Sequence, residues 1–497
     1  MLPCLPLSPS RAVVHSRRRG IWKGRETPKR EQTFDSDDDR RPAKRHRSED
    51  SSDADSDDSC YAVQLSNEIY ADEKIEDWED LKELFSRATE QYECDKVSEC
   101  LQLLRGVIRH AHRFLLLYQD PSMLYAEPRG KKPGLSSLSP SSHKPRKKCT
   151  CKESPTAFHA ILGTTLFLFG NLVAQDASFA LADEPSTFAT YWLAALDVFE
   201  IGENLPSRTS GRGCEAPEDW RMHIIWGRTL LCVADAALTL QQQQNPSNLV
   251  TPPEPKWSSP AASPFAAIAM RRLPVSRRIS LASAVPHDLL LLAMDHFSRG
   301  IFHMPHTLPV AAPPLPSPPK RTHSQPSQFD RAAELFTIAR EVLALAERLP
   351  APAERMRWAL WADSVLNKIP AQAQTAVVAR ARARCWFVAS TARVEDIGVA
   401  AETRGRGGGG VPDSEEAEDA RKGLERAVGY FEIAMSERVD AGGVKEEERD
   451  EALRACFAES LLTLANLTED EDKREALCLR ARLLGSDGVQ GMKMDHS

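Results

Sequence analysis

At 497 residues, 41% of them hydrophobic and 27% charged, the chain is long enough for about three average domains and has the composition of a soluble globular protein with disordered additions. Its net charge of −7 hides an asymmetry: residues 1–48 carry thirteen Lys and Arg against six Asp and Glu, residues 49–58 carry six acids and no base, and the remainder stands at −8. That acidic remainder argues against a broad nucleic-acid-binding face. Eleven scattered cysteines point to free thiols in a reducing compartment, and no apolar run reaches the roughly 18 residues of a membrane span.

Residues 1–66 are rich in Arg, Ser and Asp and poor in aromatics, so they cannot bury enough apolar surface to offset their ordering entropy, and disorder is expected. The first acid is Glu26, as in a mitochondrial presequence, but Pro3, Pro6 and Pro9 would interrupt its amphipathic helix. The cationic cluster Arg40, Arg41, Lys44, Arg45 and Arg47 reads as a nuclear localisation signal, to be held by a nuclear import receptor. The bland alternative is a solubilising tail or a weak nucleic-acid contact. Ser36, Ser48, Ser52 and Ser56 each stand close before acids, the pattern of acidophilic kinase substrates.

Helical periodicity opens at Ile75, Trp78, Leu81, Phe85, Ala88 and Tyr92, and repeats from Val97 through Leu101, Leu104, Ile108, Ala111 and Leu115 to Tyr118, so two helices are expected to pack as an antiparallel pair. A basic, Pro/Ser/Gly-rich loop follows over 119–155, then helices over about 156–175, 186–204 and 218–242. A Pro/Ser/Arg insertion is read over 245–285, a short helix over 287–304 and a Pro-rich linker over 305–327. The second half is read as helices over 328–349, 351–368, 371–398, 415–439, 446–467 and 470–484, with breaks at Pro350, Pro370, the 405–410 glycines, Gly442-Gly443 and Gly485. A disordered tail is expected over 486–497. The fold class is therefore all-α, with helical regions over 67–304 and 328–485. Ala455, Ala458, Ala465, Ala476 and Ala481 stand where paired helices approach closely. That suggests a degenerate tetratricopeptide-like repeat array, with an irregular helical bundle as the alternative.

Motifs that carry chemistry are few. HExxH, GxSxG, P-loop and His-x-Asp patterns are missing from the sequence. Gly405, Gly407 and Gly410 spell GxGxxG, but a dinucleotide site needs a strand before and a helix directly after, whereas a helix precedes and Val411-Pro412 follows. Cys149 and Cys151 with His143 and His159 are too closely spaced, in too cationic a loop, for structural zinc. The sequon at Asn466 has no secretory route to serve it. Trp358, Trp361 and Trp386 lie on helical stripes and read as core. No enzyme, cofactor or metal is expected.

Two basic segments remain. Arg129, Lys131, Lys132, Lys144, Arg146, Lys147 and Lys148 are either RNA phosphate contacts or a solvated loop. Arg277-Arg278-Ile279-Ser280 carries the flank that a basophilic kinase prefers, which makes Ser280 a candidate phosphorylation site.

The strings at 188–206 (FATYWLAALDVFEIGENLP), 218–231 (EDWRMHIIWGRTLL) and 461–476 (LLTLANLTEDEDKREA) resemble the fungal enhancer of translation termination family over roughly residues 67–485. That family includes a negative regulator of a 2-oxoglutarate-dependent prolyl hydroxylase in the hypoxic response. The resemblance implies a nuclear protein needed for accurate translation termination and linked to hypoxic gene expression. The partner it implies is a hydroxylase that acts on a ribosomal protein, or a ribosome-associated protein.

The residues themselves lead to a binding adaptor with no membrane association, whose helical surface captures a protein partner. Trp192, Asp197, Glu200, Glu203 and Trp220 are its candidate contact residues, although core packing also suits the two tryptophans. The competing reading is an RNA- or ribosome-binding helical factor that uses the basic loops.

Overall fold

The computed structural model describes residues 59–125, 153–205, 218–243, 263–271, 278–281, 283–306, 329–403, 414–436 and 444–490. Among them are α-helices and short 3₁₀ turns and no strand. The helices are α1 Ser59–Glu93, α2 Val97–Leu117, α3 Ala157–Gln175, α4 Phe188–Glu203, α5 Trp220–Gln243, α6 Pro264–Met270, α7 Pro286–His303, α8 Arg331–Ala346, α9 Pro352–Leu366, α10 Ala376–Thr403, α11 Glu415–Ser436, α12 Val444–Asn466 and α13 Glu471–Gln490. The all-α class is therefore as expected.

Helices that follow one another in the chain pack together: α1 with α2, α3 with α4, α8 with α9, α9 with α10, α10 with α11 and α12 with α13. One pair skips a member, because α5 packs on α7 while the short α6 reaches back to α2. The first pair shows why the sequence folds this way. Trp78, Leu81, Phe85 and Ala88 on α1 and Leu101, Leu104, Ile108 and Ala111 on α2 are all buried. Asp95, in the left-handed region at φ 63°, turns the chain between the two helices.

One apolar core runs from Trp78 on α1 to Ala389 on α10, and it takes in Leu335, Ile338 and Val342 of α8 together with Phe297 of α7. Residues on both sides of 307–328 thus share a core. A second core joins Ala379 and Ala383 of α10 to Phe431, Phe457, Leu461 and Ala481. The 28-residue α10 is the wall common to both. Helices α3 and α5 are long and apolar enough by composition to cross a bilayer, with 89% and 78% of their most apolar windows buried inside the protein. A helix apolar all round needs neighbours on every side, and here protein supplies them.

Three expectations need correction. The 245–285 insertion contains α6, which Ser263 caps by accepting from Ala266 N at 3.2 Å and which anchors Phe265 edge-on to Tyr191 and Phe169. Gly485 does not end the last helix, which continues through Gly488 to Gln490, each glycine costing about 1 kcal/mol that the helix tolerates. At the other end, α1 begins at Ser59, inside the segment expected to be disordered.

Candidate functional site

A group of interacting charged and aromatic side chains lies where the C-termini of α4 and α7 meet the N-terminus of α5. Local sequence sets the frame. Asp219 caps α5, accepting from the backbone N–H of Arg221 at 3.1 Å and Met222 at 3.4 Å. This fixes Glu218 just outside the helix and His223 in its first turn. On α7, His296, Arg299 and His303 are spaced by three and four residues, which places them on one stripe.

Arg299 is the hub. Its Nε and Nη2 donate to the two carboxylate oxygens of Glu218 at 3.0 and 3.1 Å, and its Nη2 and Nη1 donate to Glu203 at 2.8 and 3.4 Å. The hydrogen bonds from Arg299 hold the Glu218 carboxyl below the usual carboxylate range. His223 Nε2 faces the same pair, 3.2 Å from Glu218 and 3.5 Å from Glu203. Behind it, His223 Nδ1 and His296 Nδ1 are 3.1 Å apart and buried, so one nitrogen donates and the other accepts. Burial first, then the charges of His223 and Arg299, pushes the His296 pKa down to about 3, and its neutral ring stacks on Trp226 at 3.9 Å.

Aromatic groups border this polar ring. Trp220 packs on Phe329 with ring centres 4.8 Å apart and carries Arg221 over its face at 5.2 Å. Phe302 is 79% exposed and sits edge-on to His303, whose Nε2 is 3.9 Å from Glu218. Two carboxylates around one guanidinium leave acceptor capacity for a cationic or hydrogen-bond-donating group, beside an apolar anchor that water does not favour. Among the described residues, no group of three or more His, Cys, Asp or Glu is placed to hold a metal ion.

The expected contact residues divide. Glu203 and Trp220 meet in this cluster, and Glu200 lies one turn before Glu203 on α4, partly exposed. Trp192 and Asp197 do not belong to a contact surface, being 7% and 4% exposed. Trp192 instead donates from Nε1 to Asn171 Oδ1 at 3.0 Å, and Asn171 Nδ2 donates to Tyr92 at 3.4 Å, which ties α4, α3 and α1 together inside the core. His159, weighed above as a zinc ligand, is likewise buried on α3, and its pKa falls to about 4 through burial.

Arg40, Arg41, Lys44, Arg45, Arg47, Ser36, Ser48, Ser52 and Ser56 lie outside the described residues, as do His143, Cys149, Cys151 and the 405–410 glycines. Ser280 lies within them, half-buried between α6 and α7. Reading the sequence missed Glu218, His223, His296, Arg299 and Phe302. The first two fall inside the 218–231 string, whereas nothing local in α7 signals a contact with a segment more than seventy residues away.

No protein-family model matches the chain, and no curated protein matches it. Among solved structures, it is similar to the S. pombe nuclear import adaptor Nro1, with 12% identity over 86% of this chain and 96% of that one and a TM-score of 0.42. A second structure, described as the hypoxic regulator of sterol synthesis Nro1, a nuclear import adaptor, matches at 12% identity over 87% of this chain and 97% of that one, with a TM-score of 0.44.

Proposed function

We propose that the chain is a non-enzymatic adaptor of the nucleus that binds protein partners through the face formed by α4, α5 and α7. The observation that carries this reading is Arg299 locked between Glu203 and Glu218 beside the outward-facing Phe302. A charge ring held by paired hydrogen bonds is preorganised, and an exposed aromatic next to it is the composition of a binding hot spot. The cationic cluster at residues 40–47 supports entry into the nucleus by way of an import receptor. Nuclear import adaptor and hypoxic regulator, the words used of the S. pombe protein, name a role of the same class.

The finer part of the reading rests on the resemblance of residues 188–206, 218–231 and 461–476. On that basis the partner is a 2-oxoglutarate-dependent prolyl hydroxylase or a ribosome-associated protein, and the chain serves accurate translation termination and the control of hypoxic gene expression.

Affinity purification of the full chain from cells, with and without nuclease, tests the proposal against a Phe302→Ala variant. Because Phe302 is mostly solvated, its removal leaves the helices intact. The expected result is a protein partner that survives nuclease and high salt and is lost from the variant. Partners that vanish with nuclease and fall away steeply as salt rises would instead favour the RNA-binding alternative. Deletion of residues 40–47 is expected to move the protein to the cytoplasm, and unchanged nuclear accumulation would remove the localisation.

A further inference from the structure

Between α6 and α7 the chain is strongly cationic: residues 271–285 carry four Arg and no Asp or Glu. Two of these, Arg277 and Arg278, stand three and two residues before Ser280, and an apolar residue, Leu281, follows it. Basophilic protein kinases hold substrate arginines at those two positions with carboxylates and seat the following apolar side chain in a pocket. The local sequence therefore presents the charge and shape complement of such an enzyme.

The structure adds where the hydroxyl sits. Ile279, Leu281 and Ala284 are partly buried and packed against the main core, so the segment is tacked down by alternate side chains while Ser280 between them keeps partial exposure. The Ser280 carbonyl accepts from Ser283 N at 3.2 Å and Ser283 Oγ at 3.4 Å, closing a short turn. Val285, the cap residue of α7, is 50% exposed. The described residues of this stretch, 278–281 and 283–285, form neither helix nor strand, which places it at the low-stability end of the fold.

We propose that Ser280 is a phosphorylation site for a basophilic serine/threonine kinase, and that the phosphate releases the flanking Ile279 and Leu281 side chains from the helical body. In the reaction, Ser280 Oγ attacks the γ-phosphorus of Mg-ATP. The Oγ–P bond forms, the bond from that phosphorus to the β,γ-bridging oxygen breaks, ADP leaves, and the hydroxyl proton passes to the kinase's catalytic carboxylate. The product carries up to about two negative charges. A group so strongly hydrated cannot stay half-buried between Ile279 and Leu281 without losing water, so the turn opens toward solvent and the two apolar side chains leave their seats.

The test uses the purified full chain, Mg-ATP and the catalytic subunit of a basophilic kinase, with a synthetic peptide of residues 274–286 as control. The expected result is phosphate on Ser280 of the folded chain, located by peptide mass spectrometry. It should be absent from the Ser280→Ala variant and strongly reduced in the Arg277→Ala, Arg278→Ala double variant. Hydrogen exchange across 279–285 should then quicken by roughly tenfold or more in the phosphorylated chain, consistent with local opening. A peptide that is phosphorylated while the folded chain is not would overturn the site. Incorporation that persists in Ser280→Ala at the wild-type level would do the same. Phosphorylated chain with unchanged exchange across 279–285 would overturn the release.

Discussion

Arg228 on α5 and Glu334 on α8 lie 2.8 Å apart with only 9% and 4% of their surface exposed. Arg228 Nε also donates to Glu341, two turns further along α8, at 2.8 Å. One guanidinium therefore binds two carboxylates, and their combined field raises its pKa despite burial. The triad joins helices that precede and follow residues 307–328, and it does so inside the shared core.

Breaking this triad from the cationic side should be costly. Arg228→Ala strands the buried Glu334 and the partly buried Glu341, and the expected loss is about 3–5 kcal/mol, the range for removing one partner of a buried ion pair. Glu341→Gln keeps a hydrogen-bond acceptor for Nε and leaves Glu334 in place, so it should lose much less. Urea denaturation of the two variants beside wild type checks this. A loss below about 1 kcal/mol for Arg228→Ala would mean that water screens the triad as it does a surface pair.

Such ties mark the limit of what the sequence makes legible. The stripe Trp78, Leu81, Phe85 and Ala88 is readable because helical period alone decides which side chains share a face, and all four are buried. Glu203 and Trp220 are readable as candidates because each sits in a distinctive local string. Arg299 and Phe302 are not, because their meaning comes from a tertiary contact between α4, α5 and α7. The helix over Pro264–Met270 is hidden for a related reason. Its surroundings have the Pro and Ser content of a loop, and only the burial of Phe265 and Ile268 gives a seven-residue helix reason to persist.

Glycines give a paired prediction of opposite sign. Gly163 on α3 lies so close to the α4 ring of Phe199 that an added Cβ would be 2.3 Å from it, whereas Gly429 in α11 has nothing within 4 Å of that position. Gly163→Ala must push a fully buried aromatic ring aside and should destabilise by about 1–3 kcal/mol through overpacking. Gly429→Ala gains helix propensity without a clash and should stabilise by roughly 0.5–1 kcal/mol. Thermal unfolding of both variants decides. A neutral Gly163→Ala would place α3 and α4 further apart than described.

Acid should unfold the protein before its carboxylates are fully protonated. Burial depresses the pKa of His159 to about 4 and that of His296 to about 3, against about 6.5 in an unfolded chain. Between these values the unfolded state binds more protons than the folded one, so stability is complete above pH 6.5 and declines as pH falls toward 4. Each histidine contributes a slope of about 1.4 kcal/mol per pH unit in that window. Melting temperatures at pH 7, 6 and 5 should therefore drop progressively. A constant melting temperature over that range would show that both rings take up protons while folded.

Arg331 offers the last prediction, and it reaches the candidate site. Its guanidinium donates to the carbonyls of Met304 at 2.6 Å and Ile301 at 3.1 Å, placing positive charge on the C-terminal end of α7, where carbonyls lack helical partners and the helix dipole is negative. The same bonds fix the chain just after Phe329, whose ring rests on Trp220. Arg331→Ala leaves two carbonyls without their charged donor and should lose about 2–3 kcal/mol. Arg331→Lys keeps the charge but not the fork that spans both oxygens, and should recover less than half of that. The tryptophan emission of Arg331→Ala should shift to longer wavelength under native conditions, as Phe329 leaves Trp220 open to water. If stability fell while emission stayed unchanged, Arg331 would be a helix cap alone and not the residue that holds the aromatic edge of the site in position.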